Sequence, residues 1–206
     1  MTDTPSHMAD HWWWRPGWNT GRRFYTWHLT FDDATDLHHL AADYRRALKD
    51  VPGLDLVPDQ WLHLTMQGLG FTDDVPEADV RAIADAATHH LAKIPAFDLA
   101  LGPAIVTPEA LLLKVEPAEP VHAVRSAIRA AIADVWTDVP EPADGFRPHV
   151  SVAYSSAAGP AQPAADALAS VTSYPATARI TRAELIVLGR DRRMYEWTSF
   201  APVPLG

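Results

Sequence analysis

The spacing of apolar residues along this chain switches between two periods, and the same series of switches occurs twice. Apolar side chains at every second position indicate strands, and apolar side chains three to four residues apart indicate helices. The predicted strands span residues 24–31, 60–69, 97–101, 110–115, 148–155, 178–188 and 193–200, and the predicted helices span residues 34–48, 76–91, 121–136 and 162–170. The order strand–helix–strand–helix–strand therefore occurs twice, which predicts two lobes of similar build.

Alternating strands and helices also fit an ordinary doubly wound sheet. Sheets of that class that bind dinucleotides or nucleoside triphosphates carry a glycine-rich turn between a strand and the following helix. No such turn occurs in this sequence, which favours the two-lobed interpretation. At the first predicted helix, Asp33 precedes the periodic apolar residues and is expected to be the N-cap.

The charge balance limits the partners of the chain. Its 206 residues include 17 Lys+Arg and 26 Asp+Glu, a formal net charge of -9. Duplex DNA is bound mainly by lysine and arginine on its phosphates, so this balance argues against a duplex DNA partner. A small phosphorylated substrate remains compatible, because a few polar groups in one cleft suffice to bind it.

The sequence gives no sign of a membrane or secretory role. It has no run of about 18 apolar residues that could span a membrane, and its first residues lack a basic segment followed by an apolar one. We therefore expect a cytoplasmic protein without a membrane partner, and we expect it to be monomeric.

The absence of cysteine narrows the chemistry to histidine, hydroxyl groups and carboxylates. Disulfides, thiolate nucleophiles, iron–sulfur clusters and cysteine-based zinc sites all require a thiol. Two histidine doublets, His38-His39 and His89-His90, lie on predicted helices, where adjacent side chains do not face one another. We expect surface histidines there rather than metal ligands, and no cofactor is implied.

The first 21 residues form a predicted arm that is rich in tryptophan and partly flexible. Its indole rings could present an aromatic platform to a base or a sugar. Tryptophan has a large apolar surface that is costly to leave in water, so packing over an edge of the core is the favoured interpretation. Residues 22–206 are expected to form a single bilobal domain whose lobes cross over near residues 102–110.

A histidine followed two residues later by a hydroxyl residue occurs in the second predicted strand of each half. Residues two apart in a strand point to the same face, so His63, Thr65 and Gln67 are expected to share one face. By the same rule, His149 and Ser151 share a face of the other strand. Each strand would then present an imidazole and a hydroxyl group side by side.

This pairing suits the cleavage of a phosphodiester bond. An imidazole exchanges protons near neutral pH, and two of them on opposite sides of a phosphorus atom can act as base and acid. The neighbouring hydroxyl groups can donate hydrogen bonds to the non-bridging oxygens, where charge concentrates in the transition state. The arrangement does not require a metal ion.

A third match to the pattern begins at His28. His28 lies on the first predicted strand, whereas His63 and His149 occupy equivalent second strands. Equivalence across a pseudo-two-fold axis would bring two histidines face to face, which favours His63 and His149 as the catalytic pair. His28 is then expected in the cleft as a substrate contact or a structural histidine, with Thr26 on the same side of its strand.

The paired motifs resemble the signatures of the 2H phosphoesterase superfamily, and within it the 2′-5′ RNA ligase-like proteins and RNA 2′,3′-cyclic phosphodiesterases. Phe146 and Pro148, just before the second histidine, belong to the resemblance, which covers residues 22–202. It implies a mixed α/β (α+β) fold of two pseudo-symmetric lobes, each a mainly antiparallel sheet with outer helices, around a central cleft. It also implies metal-independent action on 2′,3′-cyclic or 2′-5′ phosphodiester bonds.

The same resemblance implies roles for four residues. His63 and His149 match the catalytic histidines, and Thr65 and Ser151 match the hydroxyl residues that hold the phosphate. Serine in place of threonine in the second motif keeps the donor but loses the methyl group that restricts the rotamer.

Other residues near the motifs have two interpretations each. Arg147 either binds phosphate or faces solvent, and Tyr195 either approaches the cleft or covers a sheet. Arg22 and Arg23 could contact phosphate, although a solvated turn is favoured for them.

Three functions are compatible with the sequence. The chain could be an enzyme that opens 2′,3′-cyclic phosphates, or cleaves 2′-5′ bonds, of RNA ends or nucleotides. It could instead bind a nucleotide or phosphoester without catalysis. The third alternative is a phosphoesterase whose cyclic phosphate substrate is not RNA.

Overall fold

Two antiparallel sheets form the centre of the structure, and each carries one of the histidine motifs. The computed structural model describes residues 4–172 and 174–206, and eleven strands and four helices lie within them. The strands are β1 (His7–Met8), β2 (Phe24–Thr30), β3 (Leu54–Leu56), β4 (His63–Phe71), β5 (Phe97–Val106), β6 (Ala110–Glu116), β7 (His149–Ser155), β8 (Gly159–Pro160), β9 (Ala176–Ile180), β10 (Arg182–Gly189) and β11 (Glu196–Pro204). The helices are α1 (Thr35–Leu48), α2 (Glu77–Leu91), α3 (Ala118–Ala133) and α4 (Gln162–Ala169).

The two lobes exchange strands. One sheet has the order β11-β10-β2-β4, the other has the order β3-β7-β6-β5-β9, and β1 pairs with β8 in a small ribbon. Strand β5 lies in the second sheet because a short turn joins it to β6 and the two strands pair as an antiparallel hairpin. The chain changes sheet between β2 and β3, between β3 and β4, between β4 and β5, and at Thr181 between β9 and β10. The crossing of the lobes near residues 102–110 stays a prediction.

The helices cover the outer faces of the sheets. Helix α1 contacts β3, β7, β9 and α4, whereas α2 contacts β11 and α3, and α3 also contacts β4. Each lobe is thus one sheet with two outer helices, as the fold class predicted from the sequence requires. The periodic residues of α1 are all buried, namely Leu37, Leu40, Ala41, Tyr44 and Leu48.

Two element boundaries differ from the sequence prediction for identifiable reasons. The N-cap of α1 is Ala34 rather than Asp33, because the Asp33 carbonyl oxygen accepts a 3.0 Å hydrogen bond from the Thr35 amide in a tight turn. The strand predicted over residues 178–188 is two strands in different sheets. Buried Ile180 and Ala183 flank the break at Thr181, so apolar alternation alone gives no signal of it.

The tryptophan-rich arm packs against both lobes in part. The Trp12 side chain is buried and its Nε1 donates to Asp55 at 2.9 Å, while the Trp18 ring contacts Phe24. Trp13 and Trp14 are 49% and 51% exposed, so packing accounts for only some of the indoles. The first three residues of the expected arm lie outside the described residues, and the domain boundary at residue 21 stays a prediction. None of the described helices is long and apolar enough to cross a membrane.

Candidate active site

A cleft of about 450 Å³ lies between the two sheets, and both histidine motifs open into it. His63 and His149 are the first residues of β4 and β7, and each of these strands belongs to a different sheet. The cleft is lined by Phe24, Thr26, His28, His63, Thr65 and Leu188 from the first sheet, by Ala110, Leu112, His149, Ser151 and Tyr154 from the second, and by His11, Trp18, Thr107, Glu109, Glu141 and Tyr195 from the arm and loops.

Both candidate catalytic histidines are held by the same backbone contact. Nδ1 of His63 lies 2.8 Å from the carbonyl oxygen of Trp61, and Nδ1 of His149 lies 2.8 Å from that of Arg147. A carbonyl oxygen only accepts, so Nδ1 carries the hydrogen in each ring. The tautomer leaves Nε2 of both neutral rings as the nitrogen that can take a proton.

A β-bulge follows the hydroxyl residue in both motifs. In the pairing of β4 with β2, Thr65 lies opposite His28 and Gln67 lies opposite Trp27, so Met66 is the extra residue. In the pairing of β7 with β6, Ser151 lies opposite Leu112 and the next paired residue is Ala153, so Val152 is the extra residue. The two bulges occupy equivalent positions of the two lobes, and each reverses the inward and outward alternation beyond it.

The first bulge removes Gln67 from the cleft. Strict alternation placed Gln67 beside His63 and Thr65, but the bulge turns it to the face of fully buried Trp27. Its amide donates to the carbonyl oxygen of Pro140 at 2.6 Å, and its Oε1 accepts from Arg129 at 2.8 Å. Gln67 therefore fixes the loop that leads to His149, and it is not among the residues that line the cleft.

The second bulge brings Tyr154 into the cleft, where alternation alone had not placed it. The Tyr154 hydroxyl is within hydrogen-bonding reach of Ser151, and burial raises the pKa of Tyr154, so this hydroxyl stays protonated. Ser151 is 7% exposed and Thr65 is exposed at the cleft surface. The two predicted phosphate-holding hydroxyl groups are therefore both available to the cavity, one on each sheet.

Burial keeps His63 neutral. The side chain is 7% exposed, and loss of hydration lowers its pKa from 6.5 to about 4, with a smaller contribution from His149 across the cleft. The Trp61 carbonyl oxygen acts in the opposite direction, because it accepts a hydrogen bond from the ring. At neutral pH, Nε2 of His63 therefore has a free lone pair, as a general base needs.

His28 and Thr26 lie on the cleft side of β2, as expected, but both are deeply buried at 1% and 3% exposure. The Thr26 hydroxyl donates to the carbonyl oxygen of Gln67 at 3.2 Å. The His28 ring is stacked on that of His63, with 4.3 Å between centroids and 6° between planes. Both residues support the floor of the cleft beneath the motifs.

Arg147 and Tyr195 differ in their relation to the cleft. Arg147 is exposed and does not line the cavity, and its contribution is the backbone carbonyl that holds His149. Tyr195 lines the cavity, and its ring meets that of His63 edge-on at 6.0 Å between centroids. The alternative that placed Tyr195 at the cleft is the one the geometry favours.

The arm supplies cleft residues that sequence reasoning missed. His11 is buried against Tyr195, whose hydroxyl lies 2.9 Å from Nε2, and against Glu109 at 3.3 Å. Burial and the positive charge of Arg15 lower the pKa of His11 to about 4. Arg15 also pairs with Glu109 at 2.7 Å. The only sequence signal for this cluster was the polar residues interspersed among the tryptophans, and their partners lie far away in the chain.

Several other histidines and arginines considered from the sequence have structural partners. His38 donates to the Phe31 carbonyl oxygen at 2.7 Å, and His90 lies 2.8 Å from Asp134. Arg22 pairs with Asp73 and Asp74, and Arg23 pairs with Asp191. Within residues 4–172 and 174–206, no group of three or more histidine, aspartate or glutamate side chains is arranged to hold a metal ion.

Comparisons with known proteins agree with this architecture. A family model described as the 2′-5′ RNA ligase superfamily matches residues 31–192. The solved structure of TT0787 from Thermus thermophilus is similar over 89% of this chain and 97% of its own, with a TM-score of 0.65 and 19% identity. E. coli LigT complexed with 3′-AMP is similar over 89% of this chain and 98% of its own, with a TM-score of 0.64 and 18% identity. A search among curated proteins found no match.

Proposed function

Because the chain belongs to the 2′-5′ RNA ligase superfamily, we propose that it is a phosphoesterase that hydrolyses 2′,3′-cyclic phosphate or 2′-5′ phosphodiester bonds of RNA ends or nucleotides without a metal ion. The observation that carries the proposal is the pair of imidazoles on facing sheets, each with a hydroxyl group two residues later and each held through Nδ1 by the same backbone contact.

The proposed reaction needs one histidine as base and the other as acid. Nε2 of the base takes a proton from water as its oxygen attacks phosphorus, and Nε2 of the acid gives a proton to the ribose oxygen that leaves. One P–O bond forms and one breaks, and the histidine pair ends with the proton on the opposite ring. A proton exchange with solvent then resets the pair.

The unequal burial of the two rings distinguishes the base from the acid. His63 is 7% exposed and its pKa is lowered to about 4, so it is neutral and suited to be the base. His149 is exposed at the mouth of the cleft, where it can exchange a proton with solvent between turnovers. We therefore assign the base role to His63 and the acid role to His149.

Thr65 and Ser151 would bind the phosphoryl group. Each hydroxyl can donate one hydrogen bond to a non-bridging oxygen, and donors fixed in advance are most effective where negative charge grows during the reaction. E. coli LigT, which shares the fold, has been solved in complex with 3′-AMP, ATP and NADP+. A cleft of about 450 Å³ in this chain is of the size that small-molecule sites commonly have.

The test is turnover of 2′,3′-cyclic nucleotides and of cyclic-ended oligonucleotides, with EDTA present. His63→Ala and His149→Ala should each lower kcat/KM by about 10²- to 10⁴-fold, the usual contribution of a general acid or base. His89→Ala, which removes an exposed histidine on α2, is the matched control and should leave kcat/KM unchanged.

Three outcomes would contradict the proposal. Undiminished turnover in both cleft variants would reject the histidine pair, and loss of turnover in EDTA would reject the metal-independent mechanism. If the chain binds a nucleotide 3′-phosphate but turns over no cyclic substrate, it is a binding protein and not an enzyme.

A further inference from the structure

His28 is a third histidine at the site, and the proposed reaction leaves it without a role. Its side chain is 1% exposed, and its ring lies parallel to that of His63, with 4.3 Å between centroids. The Trp197 ring meets both histidines edge-on, at 5.3 Å from His28 and 5.2 Å from His63. The ring of His28 is therefore fixed in one orientation by packing on two sides.

The hydrogen bonds of His28 are unequal. Nε2 lies 3.5 Å from Oγ1 of Thr65, beyond the usual range of about 2.7–3.2 Å for an N–H···O hydrogen bond, so this contact is weak. Nδ1 is buried without a hydrogen-bond partner among the described residues. The neighbour of His28 across the β10 pairing is Glu184, but the carboxylate of Glu184 accepts a hydrogen bond from Arg182 at 2.9 Å.

These contacts determine where the ring carries its hydrogen. Burial and the nearby His63 lower the pKa of His28, so the ring is neutral and has one N–H group. A buried N–H group is rarely left unpaired, whereas an unpaired acceptor is tolerated somewhat more often. The hydrogen therefore belongs on Nε2, which faces Thr65, and Nδ1 is the bare acceptor.

A donor at Nε2 determines the orientation of the Thr65 hydroxyl group. When Oγ1 accepts from His28, its own hydrogen is free to point away from His28 and into the cleft. A hydroxyl group has one hydrogen to donate, so this orientation makes Thr65 a donor to an anion. If His28 were bare at Nε2, the Thr65 hydrogen would instead be directed at the ring.

We propose that His28 is a positioning residue that acts through Thr65: its Nε2–H group holds the Thr65 hydroxyl as a donor toward the phosphoryl oxygens, and its stack on His63 fixes the ring for that purpose. The inference rests on the proposed function of the cleft. It also concerns a residue that precedes residues 31–192, the segment that the family model matches.

The decisive measurement is a double-mutant cycle of His28→Phe, Thr65→Val and their combination, with His28→Gln as a rescue variant. His28→Phe keeps a flat ring for the stack but has no donor, and we expect about tenfold lower kcat, less than the roughly 100-fold expected when a donor such as Thr65 is removed altogether. His28→Phe combined with Thr65→Val should be no slower than Thr65→Val alone, because the first change has nothing left to act through. His28→Gln restores a donor near the position of Nε2 and should recover most of the rate.

Additive losses in the cycle would overturn the proposal, as would full activity of His28→Phe. If His28 had only a structural role, His28→Phe would lower the fraction of folded protein, and its effect on kcat would be the same with or without the Thr65 hydroxyl. His38→Phe is the matched control, since His38 is a partly buried histidine on α1 whose hydrogen bond goes to the Phe31 carbonyl oxygen.

A second measurement does not depend on turnover. Nitrogen-15 NMR of the imidazole groups in the wild-type chain should show His28 neutral with the hydrogen on Nε2, and His63 with the hydrogen on Nδ1. Hydrogen on Nδ1 of His28 would refute the positioning role even if the enzyme is active. If no cyclic substrate is turned over, the proposed function fails, and the tautomer of His28 still decides the orientation of Thr65.

Discussion

His63 and His149 make the same hydrogen bond in two different sheets. In each ring, Nδ1–H donates to the carbonyl oxygen two residues earlier in the chain, at 2.8 Å in both cases. The two rings therefore have the same tautomer and differ in burial, since His63 is 7% exposed and His149 is exposed. In both rings Nε2 is therefore the nitrogen that takes or gives a proton, and the two rings differ in how far water reaches them.

The pH dependence should reveal the base. The pKa of His63 is lowered to about 4, so the Nε2 lone pair is free above that pH and protonated below it. We expect kcat/KM on a cyclic nucleotide to fall on the acid side near pH 4 rather than near the ordinary histidine value of about 6.5. Initial rates at constant ionic strength, corrected for any inactivation, measure this limb. A limb near pH 6.5 would contradict the assignment of His63 as a desolvated base.

The two hydroxyl groups should contribute to kcat more than to substrate binding. Thr65→Val and Ser151→Ala each remove one donor, and loss of a single preorganised donor costs about 100-fold or more in kcat. Steady-state kinetics on a cyclic nucleotide give kcat and KM separately. Thr88→Val removes an exposed hydroxyl on α2 and is the control. A change in KM alone would show that the hydroxyl groups bind the ground state only.

Arg125 should be important for stability, since it holds the loop before the second motif. Its buried guanidinium donates to the carbonyl oxygens of Met66, Ala143 and Pro142 at 2.9, 2.7 and 2.9 Å. Arg125→Met keeps much of the apolar stem but leaves these acceptors unpaired, and we expect a loss of about 2–4 kcal/mol in the free energy of unfolding. Urea denaturation measures it.

The control for Arg125 is an arginine that lies at the surface and makes only an exposed ion pair. Arg81 pairs with Glu77 on the exposed side of α2, and surface ion pairs of this kind contribute about 0–1 kcal/mol. Arg81→Met should therefore change the free energy of unfolding by much less. Equal effects of the two variants would show that the loop contacts of Arg125 do not stabilise the fold.

Arg190 should anchor the arm. Its Nη2 donates to the carbonyl oxygens of His11 and Trp13, at 3.2 Å in both cases, and the side chain is 4% exposed. In Arg190→Met the arm loses these two contacts, so limited proteolysis should cut within residues 11–18 much faster than in the wild type. Arg192→Met removes an exposed arginine nearby and should leave the cleavage rate unchanged. Equal protection in both variants would show that Arg190 does not hold the arm.

The order of elements could be predicted from the sequence because it depends on local patterns. The apolar periodicity of α1, and the alternation of β2 with Trp27 and Leu29 inside, follow from which side chains avoid water. The position of the break at Thr181 could not be predicted in the same way. Buried side chains continue on both sides of it, and only the pairing of β9 with β5 and of β10 with β11 separates the two strands.

One part of the candidate site could be predicted from the sequence, because it depends only on the alternation of side chains between the two faces of a single strand. His63 with Thr65 and His149 with Ser151 each lie two residues apart, and no bulge interrupts either pair. Gln67 lies beyond the first bulge, so the same rule failed for it. The bulge arises from the pairing with β2, and a strand's own sequence does not state which of its residues will be left unpaired.

The sequence by itself determined the chemistry available to this protein: no thiol, ten histidines, and two histidine–hydroxyl pairs on strands that fill equivalent places in a repeated pattern. Only the tertiary structure decided which groups surround those pairs. It stacked His28 on His63, turned Tyr154 into the cleft and brought His11 of the arm beside Glu109. The reason is physical: alternation and periodicity act between near neighbours, whereas burial, tautomer and pKa depend on groups that meet only when distant segments pack together.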